Sequence, residues 1–291
     1  MKAGKKERGT KRAFGLALVF FLVFICFNGR GITQSLTELS NQIKSGTTEE
    51  KRDALLALRS LRSEEASRLA LVALLDRNPM VRAMATSSVG FLPRAEAVAA
   101  LSPLLRDKDE FVRSEAAYAL GKTGDPSSAA SLIKALGGDR SGQVRSAVAV
   151  ALGQIGSPDA ISPLKSILDL QPREDAEMLR RAAARSLGQI AQILRSGNAV
   201  VLTPQNFLPE KFKDVSAKPS ADLLAQFRES VQTLVRVLDN PNEAADTRRE
   251  AAFALGAIGD TSAEASLKKY AASEDIYLGE IVKEALLKLA S

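Results

Sequence analysis

VRSEAAYALGKTG, Val112–Gly124, recurs in close copies along most of the chain. One gapless frame aligns seven of them: an apolar or β-branched residue, then Arg or Lys, Ala four positions on, Leu or Val at eight and usually Gly at nine. The copies begin at Glu50, Val81, Val112, Val144, Leu179, Thr247 and Ile281, in steps of 31, 31, 32, 35, 68 and 34 residues. Such a period marks a stack of repeats, in which one unit cannot bury its apolar face alone but neighbours bury it for each other. The step of 68 is one period plus an insertion.

The composition suits closely packed helices. Of the 291 residues only 5% are aromatic and none is Trp, so the apolar content comes from Ala, Leu and Val. A stack of repeats can use the whole length without dividing into globular domains. There is no His and a single Cys, Cys26. These counts exclude disulfides within the chain, zinc sites of the Cys/His type and any nucleophile activated by a His base.

The net charge of +6 is local. Residues 1–31 hold seven basic residues and one acid, which leaves 33 of each sign after Gly31. A neutral body gives no bulk electrostatic case for a polyanion. The basic start is followed by an unbroken apolar run, Ala13–Phe27, and by Asn28-Gly29-Arg30-Gly31. Fifteen helical residues span about 22 Å, less than the hydrocarbon core of about 30 Å. Residues 1–31 therefore read as a signal peptide cleaved after Gly31, or as a signal anchor, with the N-terminus on the cytoplasmic side. The body, 32–291, is expected to be periplasmic or exported in the first case and anchored in the inner membrane, outside the cytoplasm, in the second.

Periodicity and breakers predict fourteen helices, at 33–45, 48–62, 64–76, 79–91, 94–106, 110–122, 126–137, 142–155, 158–170, 175–194, 220–239, 244–258, 262–273 and 276–290. Asn78-Pro79, Asp125-Pro126, Ser157-Pro158 and Gly259-Asp260 fall between periodic segments, as caps and stops should. Gly121 and Gly124 are both read as ending the Val112 helix. Residues 195–220 escape the pattern, with three prolines and scattered apolar side chains. They form an insertion that is either functional or simply laid along the stack.

Within a copy, positions zero, four, five and eight share one helical side and form the core stripe. Position one is basic in six copies, and an acid stands six residues earlier in four, giving Asp76 with Arg82, Asp107 with Arg113, Asp139 with Arg145 and Glu174 with Arg180. That spacing predicts a structural ladder in which each guanidinium bridges a carboxylate and free carbonyls of adjacent turns. The alternative use of such a column is to grip an anionic ligand.

VRSEAAYALGKTGDPSSAASLIKALGGD and VRSAVAVALGQIGSPDAISPLKSIL resemble the bacterial HEAT-like repeats first described in phycobilisome lyases, over nearly everything after residue 45 except the insertion. The resemblance implies an all-α fold, a right-handed α-solenoid of about seven antiparallel helix pairs with the motif helices lining the concave wall. Position six lies about 170° from the centre of the core stripe and should face that groove. Its occupants include Tyr118, Val150, Arg185 and Phe253, with Arg181 and Arg249 nearby at position two. An apolar ridge rimmed by charge suits a partner protein, although the same side chains could lean on neighbouring helices and complete the packing.

These readings converge on a non-enzymatic interaction scaffold or adaptor, exported or membrane-tethered, that binds a protein in its concave groove and needs no catalytic residue, metal or cofactor. Contact with a membrane is expected only through an uncleaved leader. Resemblance to bilin lyases implies the alternative of a lyase-related enzyme or chromophore-protein accessory factor. Resemblance to deoxyhypusine hydroxylase would imply a di-iron oxygenase, but its His-Glu iron ligands have no counterpart in a chain without His. A third class, nucleic-acid binding on a basic wall, is disfavoured by the neutral body.

Overall fold

The computed structural model describes residues 35–196, 204, 208–209 and 219–290. The leader, 1–31, and most of the insertion lie outside the described residues. Fourteen α-helices make up the described part: α1 Leu36–Ser45, α2 Thr48–Ser60, α3 Glu64–Ala70, α4 Pro79–Ser88, α5 Arg94–Leu101, α6 Glu110–Thr123, α7 Ala129–Gly138, α8 Gly142–Ile155, α9 Ile161–Asp169, α10 Glu177–Ser196, α11 Ala221–Asp239, α12 Ala245–Ile258, α13 Glu264–Lys268 and α14 Ile276–Ala290. All fourteen expected helices are present. The differences lie at their ends, where the chain tightens into 3₁₀ turns. Leu71–Leu75 and Ser102–Arg106 extend α3 and α5 in this form, and Pro126–Ser128 precedes α7. In Ser102–Arg106 the cause is Pro103, which has no N–H to continue an α-helix.

The ends follow local chemistry. Thr47 and Glu50 form a reciprocal capping box on α2. Asn78 caps α4 ahead of Pro79, and the Asp109 carboxylate accepts from the amides of Phe111 and Val112 at the start of α6. Gly124, Gly156 and Gly259 close α6, α8 and α12 in the left-handed region, with φ of 62°, 74° and 78°.

The helices form two layers. The motif helices α2, α4, α6, α8, α10, α12 and α14 each pack on the next, and α10 continues directly onto α12 although the insertion separates them in sequence. The outer helices α1, α3, α5, α7, α9, α11 and α13 pair with them and bury one continuous core. The result is an all-α solenoid of seven helix pairs. Position four of every copy, from Ala54 to Ala285, is buried, with Val148 replacing Ala in the fourth. Small residues there bring the motif helices close together.

Position nine adds to that close approach and corrects one expectation. Gly121 does not end α6, which runs on to Thr123. A β-carbon at Gly121 would lie 2.7 Å from Ala151 Cα on α8, so the glycine is where consecutive motif helices touch. Gly256 stands in the same relation to Ala285.

The ladder exists, but its rungs are one unit out of the expected register. Arg82 donates to both carboxylate oxygens of Asp107 at 2.8 and 2.7 Å, and Arg113 to those of Asp139 at 2.6 and 3.0 Å. Lys51 adds a rung to Asp76 at 2.7 Å. The acid six residues before each arginine contributes its backbone: Arg82 Nη1 donates to the Asp76 carbonyl at 2.8 Å and Arg113 Nη1 to the Asp107 carbonyl at 2.9 Å. The carboxylates of Asp76, Asp107 and Asp139 also accept the amide two residues on, which pins each turn.

Among the described residues none of the four expected carboxylate pairs forms: Arg82 and Arg113 keep only the carbonyl of the acid six residues back, and the other two pairs lose even that contact. Arg145 donates to the Leu136 carbonyl and has no carboxylate partner among the described residues. Glu174 opens a 3₁₀ turn with its side chain in solvent, because the longer 35-residue step adds chain before it. Arg180 instead reaches Glu243, 63 residues on, and takes the Ile167 and Leu170 carbonyls. This rung joins the fifth unit to the sixth across the insertion.

Candidate functional site: the exposed wall of the motif helices

The wall opposite the core stripe carries the candidate site, and the structure divides its expected residues into three groups. Tyr118 is exposed, 38% of its surface being open. Val150 is half-buried against the core. Phe253 is buried, 3% exposed, so the continuous ridge expected from position six does not form. Its ring lies over Gly188 of the preceding motif helix, and the Arg185 guanidinium covers it 5.4 Å from the ring centre.

The three arginines at this end are tied to acids. Arg185 pairs with Glu250 at 3.0 Å, Arg181 with Asp246 at 3.0 Å, and Arg249 with both Asp246 at 2.6 Å and Asp275 at 2.9 Å. Burial pushes the Glu250 carboxyl above its ordinary value, against the opposing pull of the Arg185 charge. The C-terminal wall is thus a mesh of matched charges around a depression of about 320 Å³, which Tyr277 also lines.

Further apolar exposure on the wall falls at positions outside the expected set. Met80, Phe111 and Met178 each stand one residue before their copy begins, and all are exposed. That position precedes position six by seven residues, two turns, so both lie on one face. This heptad offset was the signal available in the sequence.

Two open grooves meet at Tyr118. One, of about 280 Å³, runs between α4 and α6 and is lined by Phe91, Tyr118, Arg59, Glu115 and Lys122. The other, of about 620 Å³, crosses α8 to α10 and is lined by Tyr118, Gln143, Ser146, Asp175 and Met178. Phenol, ring and thioether surfaces beside isolated polar groups can hold an apolar side chain of a partner and orient its backbone. Among the described residues no three His, Cys, Asp or Glu side chains are grouped to hold a metal ion, and no helix is long and apolar enough to cross a membrane.

Comparison with known proteins agrees with this architecture. HEAT repeats match over residues 36–121, 68–152 and 131–201, which together span more than half of the chain, and the PBS lyase HEAT-like repeat matches over 247–273. No curated protein matches the sequence. Among solved structures, two engineered proteins are similar in fold. One is 21% identical with a TM-score of 0.55, over 88% of this chain and 68% of that one. The other is 21% identical with a TM-score of 0.51, over 88% and 96%. The complex of CpcE and CpcF of phycocyanin lyase from Nostoc sp. PCC7120 is 22% identical with a TM-score of 0.48, over 89% and 96%.

Proposed function

Because the chain belongs to the HEAT-repeat family, we propose that it is a non-enzymatic scaffold that holds a partner protein on the motif-helix wall around Tyr118. The observation that carries this reading is the exposure of Tyr118, Phe111, Met80 and Met178 on one face of the motif helices, with Tyr118 and Met178 lining one groove, in a chain with few aromatics. Exposed aromatic and Met side chains beside grooves are the surfaces from which binding hot spots are built. The absence of His from the sequence narrows the enzyme reading to chemistry done without imidazole.

We further propose that the solenoid works outside the cytoplasm, exported or tethered by residues 1–31. The support is the basic start followed by the apolar run Ala13–Phe27. Crosslinking in the producing cells tests the first proposal: a Tyr118→Asp, Met178→Asp variant should fold and lose the partner captured by the wild type. Unchanged capture would sink it. Fractionation with mass measurement of the mature N-terminus tests the second, and an intact chain in the cytoplasmic fraction would refute it.

A further inference from the structure

We propose a second binding site, on the outer layer, for an acidic peptide segment of a partner protein. It is the depression of about 600 Å³ between the 3₁₀ end of α5 and α7, at the edge where the motif helices begin. Arg106, Lys108, Lys134 and Arg140 line it. All four side chains are exposed, and none has an ion pair or side-chain hydrogen bond among the described residues.

The acids in the same depression are already engaged. Asp107 is held by Arg82 and Asp139 by Arg113. Asp109, in the adjoining turn, caps α6, which leaves Glu110 as the nearby exposed acid, and it does not line the depression. Arg106, Lys108, Lys134 and Arg140 therefore line one concavity without an ion-pair partner among the described residues, Lys108 adding its charge to the field on Asp107, in a body that holds 33 basic and 33 acidic residues after Gly31. Like charges gathered in a cleft focus a positive potential and favour an anionic occupant.

Shape and floor select among anions. A flat bilayer cannot follow a concave surface, and the side chains of Leu105 and Ala135 contribute apolar lining that a bare phosphate would not use. A run of Glu residues matches both features: its methylenes lie on Leu105 and Ala135 while its carboxylates reach the rim, where Arg106 and Arg140 can bind them in bidentate fashion. The site is separate from the Tyr118 wall, so either can fail without the other.

The test is fluorescence anisotropy of a labelled hexaglutamate peptide with the protein purified from its producing cells. Lys134→Glu with Arg140→Glu should weaken binding about tenfold or more. Lys44→Glu with Arg228→Glu, the same charge change at exposed positions on α1 and α11 outside both the depression and the Tyr118 grooves, should leave it within about twofold. The proposal is overturned if the wild type does not bind the peptide, if both variants weaken it equally, or if vesicles containing phosphatidylglycerol or inorganic triphosphate bind where the peptide does not. Should the charge reversal disturb folding, Lys134→Gln with Arg140→Gln replaces it, with the same expected loss.

Discussion

The ring of Phe253 lies so close over Gly188 that a β-carbon there would come within 2.6 Å of Cε1 and 2.9 Å of Ala254 Cα. The glycine at position nine is therefore the contact point between α10 and α12, and it makes room for the one large aromatic side chain that the motif wall turns inward. Gly188→Ala should cost about 2 kcal/mol through overpacking, read from the denaturant midpoint. Gly137, a helical glycine with open space around it, is the control. There Ala should be neutral or stabilising by about 0.5 kcal/mol, and equal effects at the two sites would contradict the close approach.

The ladder register can be measured by double-mutant cycles. Arg82→Met with Asp107→Asn should show a coupling of about 1–3 kcal/mol, since the pair is mostly buried and bidentate. Arg82→Met with Asp76→Asn should show about 0.5 kcal/mol or less, because Arg82 uses the Asp76 carbonyl, which the substitution keeps. The reverse ordering would restore the pairing read from spacing.

These two cases also show what could be read from residues alone. Helix number and the core stripe were legible because they depend on period within one helix, and position four is buried as expected from Ala54 to Ala285. The rungs were not, because a six-residue spacing is satisfied equally by the carboxylate or the carbonyl of Asp76, and the structure uses the carbonyl. Phe253 was misplaced for a related reason: its outward angle on α12 is correct, but what stands opposite it is a glycine on another helix. Met178 and Phe111 were missed because they sit just outside the repeat frame, although seven residues from position six.

Acid should loosen the ladder in a defined window. Burial alone would raise the carboxyls of Asp76, Asp107 and Asp139, but hydrogen bonds from Lys51, Arg82 and Arg113 and from turn amides outweigh it and hold all three below the ordinary aspartate value. The folded pKa is thus lower than the unfolded value of about 3.9, so the unfolded chain takes up protons first. This stabilisation is complete above about pH 5 and is lost as pH falls below about 4. Glu250, raised by burial, acts in the opposite sense but is one group against three. Thermal melting against pH should fall steeply below about pH 4, and the Arg82→Met, Asp107→Asn variant should show a shallower fall. An unchanged slope would remove the ladder from the acid response.

The rung across the insertion should be the most costly to break. Arg180 and Glu243 have side chains only 3% and 1% exposed, and each is the other's counter-charge. Removing Arg180 leaves a buried carboxylate facing no cation, so Arg180→Ala should cost about 3–5 kcal/mol. By contrast, Arg181→Ala, which breaks a pair exposed by more than 40% on both sides, should cost about 1 kcal/mol or less. In a stack where each unit contacts its neighbours, the damage should stay on one side of the broken joint. Hydrogen exchange on Arg180→Ala should therefore show α11–α14 losing protection while α2–α6 keep theirs. Uniform loss along the whole stack would mean that the two segments unfold as one unit and that this rung is not their joint.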